Sequence, residues 1–263
     1  MTDGPETMRQ GQRSETGLSV ESLASEALKS LAVSRGGRAR NVSERHVQAL
    51  RRAVLDVDFD ARRTVVETLR KENVSSEEII DTYIPEVARL LGDEWCRDQT
   101  SFADVTIGSA RLQGLLREIL EDESPVHPLD AAGVAVVVVS DEYHTLGALV
   151  LTAQLRRLGV SVRVLLDTDP DDVLRMIGRD DRYDAVMISA SHVENLGQLA
   201  QFVERLRSKN TRNIPIVIGG PVLGTGRDVK AATGADFATS DVVEALRLCQ
   251  LRISPHVASA KAG

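Results

Sequence analysis

Apolar positions recur every three or four residues through the first half of the chain, then gather into short continuous runs past residue 130. Leu18, Leu23, Ala27, Leu28 and Leu31 fall at helical spacing and predict a short amphipathic helix. The residues before it, 1–16, are polar and rich in Gly, Ser and charge, the composition of a flexible leader. Arg35-Gly36-Gly37-Arg38-Ala39-Arg40 breaks the pattern. It reads as a solvated linker, or as a contact for an acidic surface or a nucleic-acid phosphate. From Ser43 the helical period returns, with Val47, Leu50, Val54 and Leu55 on one helix. Ala61, Val65, Val66 and Leu69 mark a second helix that stops near Asn73. Ser75-Ser76-Glu77-Glu78 is a capping signature with an acidic first turn. It opens a third helix through Ile79, Ile80, Tyr83, Val87, Leu90 and Leu91. A fourth, from Ser101 to about Leu120, carries Phe102, Val105, Ile107, Ala110, Leu112, Leu115, Leu116 and Ile119. Helices of this length on short connections predict an antiparallel bundle.

After the charged, proline-bearing stretch 121–128 the rhythm changes. Val134 to Val139 is a β-branched run suited to a strand buried on both faces of a parallel sheet. Further strands are predicted at 160–166, 185–189, 214–219 and 236–238, alternating with helices at 147–158, 170–177, 196–208, 228–233 and 241–251. The expected fold class is α/β: an N-terminal helical bundle, then a flavodoxin-like, doubly wound parallel sheet of five strands. The expected division is a leader over 1–42, a helical cap over 43–123, a linker over 124–131, the α/β domain over 132–253 and a disordered tail over 254–263.

Composition narrows the function classes. Hydrophobic residues make up 42% of the 263 positions and aromatics only 3%, so the core must be aliphatic and any aromatic at a cavity stands out. A net charge of −7 argues against direct, sequence-independent DNA binding, which needs a basic face. A basic partner protein is not excluded by it. The two cysteines, Cys96 and Cys249, lie far apart without metal-site or disulfide spacing. No apolar run has the length of a signal peptide core or a membrane span, so a reducing cytoplasm is the expected location.

Ligands of such sheets sit beyond the C-terminal strand ends, which directs attention to three loops. They read Ser140-Asp141-Glu142-Tyr143-His144-Thr145-Leu146-Gly147, Ser189-Ala190-Ser191-His192, and Gly219-Gly220-Pro221 onward to Gly226. Taken singly, each has a bland reading: a helix cap, a solvated histidine, a turn. A phosphate-loop reading of the glycines fails, because no lysine stands where it would be needed and they follow the fourth strand.

Together the loops resemble the cobalamin-binding domain, which carries Asp-x-His-x-x-Gly after its first strand, Ser-x-Leu after its third and Gly-Gly after its fourth. Here the first element is Glu142-x-His144-x-x-Gly147 and the second Ser189-Ala190-Ser191, which keeps the serine and loses the leucine. Gly219-Gly220 is intact, and the family's closing Gly-Ala-Asp stands at Gly234-Ala235-Asp236. The resemblance spans roughly 120 residues. It implies His144 as the lower axial ligand of a base-off cobalamin in hydroxo, adenosyl or methyl form. Glu142 would hold the other ring nitrogen and fix the tautomer. The nucleotide tail would lie in a slot between sheet and helix, with room at Gly147 and a hydrogen bond from Ser189. Gly219 and Gly220 would allow close backbone approach, and Ser191 and Thr239 complete the expected cofactor-binding set on the sheet. Leu91-Gly92-Asp93-Glu94-Trp95 and the stretch from Thr100 to Thr106 resemble the family's helical cap, so Trp95 is expected in the bundle core or as a lid over the corrin. The Glu-His pair common there is replaced by Val105-Thr106.

Two families share this layout: corrinoid subunits of methyltransferases, and the PpaA/AerR antirepressors of purple photosynthetic bacteria. Glu142, the altered Ser-x-Leu, the polar leader and the stretch Trp95 to Thr106 resemble the latter. The resemblance implies a light- or redox-responsive cobalamin sensor, not an enzyme, that binds a DNA-binding repressor of photosystem genes. A corrinoid methyl carrier remains the alternative. So does a haem sensor on the same fold, for which His192 beside His144 is suggestive; His192 is otherwise read as a surface loop residue.

Overall fold

The computed structural model describes residues 42–122, 131–138, 145–166, 168–179, 182–209 and 212–252. The expected leader up to residue 41, most of the linker, the tail, Glu142 and His144 lie outside the described residues.

The helical region opens with α1 (Glu44–Leu55), which buries the stripe Val47, Leu50, Ala53 and Val54. Helix α2 (Asp60–Lys71) buries Val66 and Leu69, and Arg62 lies 4.7 Å over the ring of Phe59. The turn after α2 closes at Asn73 with φ 64°, a left-handed conformation that asparagine tolerates. Ser75 then forms the expected capping box: its hydroxyl accepts from the Glu78 N–H, and the Glu78 carboxylate accepts from the Ser75 N–H.

The third predicted helix is not uniform. Short α3 (Ser76–Glu78) widens into a π-helical segment (Ile79–Tyr83) before α4 (Ile84–Cys96) resumes. Pro85 supplies the reason. It has no N–H for the Asp81 carbonyl, and its ring would crowd that oxygen in a regular α-turn. Helix α5 (Phe102–Asp122) starts on a second reciprocal cap between Ser101 and Asp104. Halfway along it, Arg111 donates to the carbonyls of Val54 and Asp56 at 2.9 and 2.7 Å, satisfying the open end of α1.

The second half is a five-stranded sheet, all parallel, in the order β2-β1-β3-β4-β5. Its strands are β1 (Gly133–Val138), β2 (Ser161–Leu165), β3 (Ala185–Ser189), β4 (Ile216–Gly219) and β5 (Phe237–Ala238). The crossovers are α6 (Thr145–Arg157), α7 (Pro170–Arg179), α8 (Leu196–Lys209) and α9 (Val229–Thr233), and α10 (Val242–Leu248) closes the fold. Strand alternation splits the core in two. Val134, Val136 and Val138 pack with Ala148 and Leu155 of α6 and Leu246 of α10. Ala135 and Val137 pack with Leu174 of α7 and Phe202 of α8. The Gly-Ala-Asp motif works structurally: Gly234 ends α9 at φ 72°, and Asp236 accepts from the Ile216 N–H and pairs with Arg207.

Helix α6 belongs to two cores at once. Its Leu146, Leu149 and Ala153 pack into the core of the helical region. At its far end Arg157 pairs with Asp81 of the π segment at 2.5 Å. No described helix is long and apolar enough to cross a membrane.

The two cysteines differ in a testable way. Cys96 is exposed, whereas Cys249 is buried, with its thiol pushed up to about 11 by burial and, second, by Asp236. Iodoacetamide at about pH 8 is expected to label Cys96 and leave Cys249 unmodified until the protein unfolds, as peptide mass mapping would show.

Candidate functional site

The residues expected to bind a ligand gather where the strands end. Val138 pairs with Ser189 and Ser189 with Gly219, so the last residues of β1, β3 and β4 form one row. Thr239, the residue after β5, joins it, donating its N–H to the Ile218 carbonyl at 3.1 Å. A Cβ added at Gly219 would stand 3.0 Å from the Thr239 carbonyl oxygen, so glycine lets these two strand ends approach. By alternation, Ser189 and Gly219 continue the sheet face that carries Met187 and Val217, the face turned toward α6 and α10.

Small residues dominate that end of the layer. Gly147 stands in the first turn of α6, and among the described residues nothing lies within 4 Å of a Cβ placed there. The described residues therefore leave room at this point. Gly220 has the opposite environment. Its φ is 95°, and an added Cβ would lie 2.8 Å from the Ala190 carbonyl oxygen and 3.4 Å from Ser189 Oγ. Glycine is needed there both for its left-handed backbone and for the close approach of the two loops. Backbone bonds lock the contact: Ala190 N–H donates to Gly219 at 3.0 Å, and Val222 N–H donates to Ala190 at 3.1 Å.

Ser189 is buried at 8% exposure, Ser191 at 6% and His192 at 6%. Burial of His192 corrects its reading as a surface loop residue. The loops after β3 and β4 fold onto one another, and a three-residue turn (Val193–Asn195) carries the chain straight into α8. No sequence signal announces this, because the burial comes from neighbouring loops. Trp95 is half-buried against the helical core, which also takes Leu146 and Leu149 of α6, with its ring 6.1 Å from that of Phe102. Ser189, Gly219, Gly220 and Thr239 are thus brought together, and Trp95 packs on the helical core that also receives Leu146 and Leu149 from either side of Gly147. Among the described residues no group of three or more His, Cys, Asp or Glu side chains could hold a metal ion.

Comparison with known proteins agrees with this geometry. Residues 132–247 match the B12 binding domain. The chain is 36% identical over 175 residues to an uncharacterized 20.5 kDa protein in the bchF-crtJ intergenic region of Rhodobacter capsulatus, spanning 66% of this chain and 91% of that protein. The chain belongs to the B12-binding domain family. Its fold is shared with the monomethylamine corrinoid protein of Methanosarcina barkeri, at a TM-score of 0.62 and 17% identity over 78% of this chain and 98% of that one. The cobalamin-binding domain is thus the α/β half described above. The polar, small-residue row at the strand ends fits the corrinoid that such a domain binds. In that site Ser189 and Thr239 offer hydroxyls, and Gly219 and Gly220 offer close backbone.

Proposed function

We propose that this chain is a cobalamin-dependent sensor, not an enzyme, and that it acts as an antirepressor by binding a DNA-binding repressor of photosystem genes. The observation that carries the cofactor half of this reading is the row of strand ends Val138, Ser189, Gly219 and Thr239, with Gly219 and Gly220 at close backbone contacts that exclude a Cβ. The regulatory half is supported by 36% identity to a protein named for its bchF-crtJ location, the setting of a photosynthesis gene cluster.

In this reading His144 would offer its imidazole to the cobalt of a bound cobalamin, and Glu142 would accept the proton of the other ring nitrogen. The cofactor, when bound, would supply a light-cleavable cobalt–carbon bond. The chain holds the tail between β-sheet and α6 and presents Ser189 to it. Helix α6 starts one residue after His144 and lodges Leu146 and Leu149 in the helical core, so a shift at the ligand is felt there. For a useful switch the repressor must bind one state more tightly by a few kcal/mol.

Titration of the purified protein with hydroxocobalamin is expected to give the spectrum of histidine ligation. His144→Ala is expected to lose it and to weaken binding on the order of 100-fold. An unchanged spectrum and affinity in the variant would remove His144 from the assignment. Pulldown of the repressor in light and dark, with and without cobalamin, tests the second half. Cobalamin-independent binding accompanied by methyl transfer would favour a corrinoid carrier, and a haem spectrum in the purified protein would favour a haem sensor.

A further inference from the structure

Among the described residues, five large hydrophobic side chains are exposed: Val57, Phe59, Phe102, Ile107 and Val243. Val243 stands on α10, in the other half of the chain, and Phe102 rests against Trp95. The remaining three are brought to one side of the helical region. Val57 and Phe59 occupy the connection between α1 and α2. Arg111 of α5 holds this connection by donating to the Val54 and Asp56 carbonyls. Leu55 packs beside it at Gly108, its Cδ2 3.3 Å from where a Cβ would be. Ile107 lies one turn before Arg111, on the side of α5 that carries the connection.

These side chains stand on a fixed backbone. The Asp56 carboxylate accepts from the Asp58 N–H at 2.9 Å, and the Asp58 carboxylate accepts from the Asp60 N–H at 3.0 Å. The Phe59 ring lies over the guanidinium of Arg62, which is itself buried. Val57 is nevertheless 93% exposed and Phe59 66%, in a chain with only four phenylalanines. An aromatic side chain held outward on ordered backbone is an interface anchor, since little freedom is left to lose on binding.

Charge decides what this face fits. Residues 56–60 read Asp-Val-Asp-Phe-Asp and all five are exposed, as is Asp104 one turn before Ile107. Among the described residues Asp56, Asp58 and Asp60 enter no ion pair, because Arg62 is turned to the Phe59 ring and Arg111 to backbone carbonyls. An apolar face ringed by free carboxylates repels phosphates, anionic lipid and an identical copy of itself. It attracts a protein surface that carries lysine or arginine around an apolar pocket.

We propose that the α1–α2 connection, with Ile107 beside it, is a docking surface for a basic face of a partner protein. Val57 and Phe59 enter an apolar pocket, and Asp56, Asp58 and Asp60 meet the cations around it. The inference rests on reading the chain as one that binds a DNA-binding repressor, a kind of protein that must carry a basic face. None of these residues belongs to the strand-end row.

The test is binding of the purified photosystem-gene repressor to the full chain, in whichever cofactor state binds more tightly. Val57→Ser combined with Phe59→Ser is expected to weaken binding about tenfold or more. Asp56→Asn, Asp58→Asn and Asp60→Asn together keep the acceptors that shape the loop and remove its three charges. That combination is expected to weaken binding about fivefold or more at low salt and to flatten its salt dependence. Val243→Ser, the same kind of change on α10, is expected to stay within about twofold of wild type. Hydroxyl-radical footprinting is expected to find Phe59 reactive in the free chain and protected by the repressor. The proposal is overturned if either combination binds within about twofold of wild type, or if Val243→Ser loses as much. Protection of Phe59 already in the free chain also overturns it, because a second copy or another part of this chain then covers the face. Should the serine variant not fold by circular dichroism, the asparagine variant decides alone. A wild type that binds no repressor in any state removes the antirepressor reading itself, whereas equal binding by wild type and the variants removes only this surface.

Discussion

Gly220→Val is expected to cost the fold about 3 kcal/mol and to abolish measurable cobalamin uptake. Two independent terms combine. At φ 95° a β-branched residue occupies strongly disfavoured backbone space, worth roughly 1–3 kcal/mol. Its Cβ would also stand 2.8 Å from the Ala190 carbonyl oxygen, a backbone atom that cannot swing aside. Relief requires parting the loops after β3 and β4, which breaks the bonds of Ala190 to Gly219 and Val222. Ser189 and His192 would move with that loop. Urea unfolding and hydroxocobalamin titration check the two halves. Gly147→Ala is the control for stability: with no described residue within 4 Å of the added Cβ, apo stability should hold while cofactor affinity falls. Loss of stability at Gly147 with no change in binding would contradict the slot.

The second large effect is expected at the junction between the helical region and the sheet. Arg157→Met should destabilise the protein by about 3 kcal/mol, because it leaves the Asp81 carboxylate largely buried without its partner. Both side chains are only about a quarter exposed, at 25% and 23%, so screening by water is limited. Combining it with Asp81→Leu should recover most of that loss, since replacing both charges by apolar groups is often neutral. Burial holds the Asp81 carboxyl above its ordinary value of 3.8, against the lowering pull of Arg157. As pH falls, the folded protein therefore takes up this proton before the unfolded chain does. Asp81 supports the fold most below 3.8, and that contribution fades as pH rises through the folded value. The stability of wild type relative to Asp81→Asn should decline over that interval, and a rise would reverse the assignment of burial as the dominant cause.

Much of the architecture is legible in the chain because burial on one side leaves a period. The stripe Val47, Leu50 and Val54 repeats as a helix must, and after Gly133 β1 reads as unbroken valine and alanine because both faces of a central parallel strand are covered. The strand-end glycines and Ser189 are legible as a pattern because a parallel sheet puts its ligand-facing residues at fixed points of the chain. The π segment is not legible: Ile79, Ile80, Tyr83, Ile84 and Val87 satisfy an α-helical period equally well, and only the packed helix shows where Pro85 forces the widening.

By itself, then, the sequence determined the order of elements, the parallel sheet and the identity of the strand-end residues, since these follow from local periodicity and turn chemistry. Tertiary structure alone decided the burial of His192, the contact of Gly220 with Ala190 and the pairing of Asp81 with Arg157. Asp81 and Arg157 lie 76 residues apart, and the loops of β3 and β4 meet only because β3 and β4 are neighbours in the sheet. The reason is physical: periodicity reports which face of an element is covered, whereas what covers it is set by elements remote in the chain.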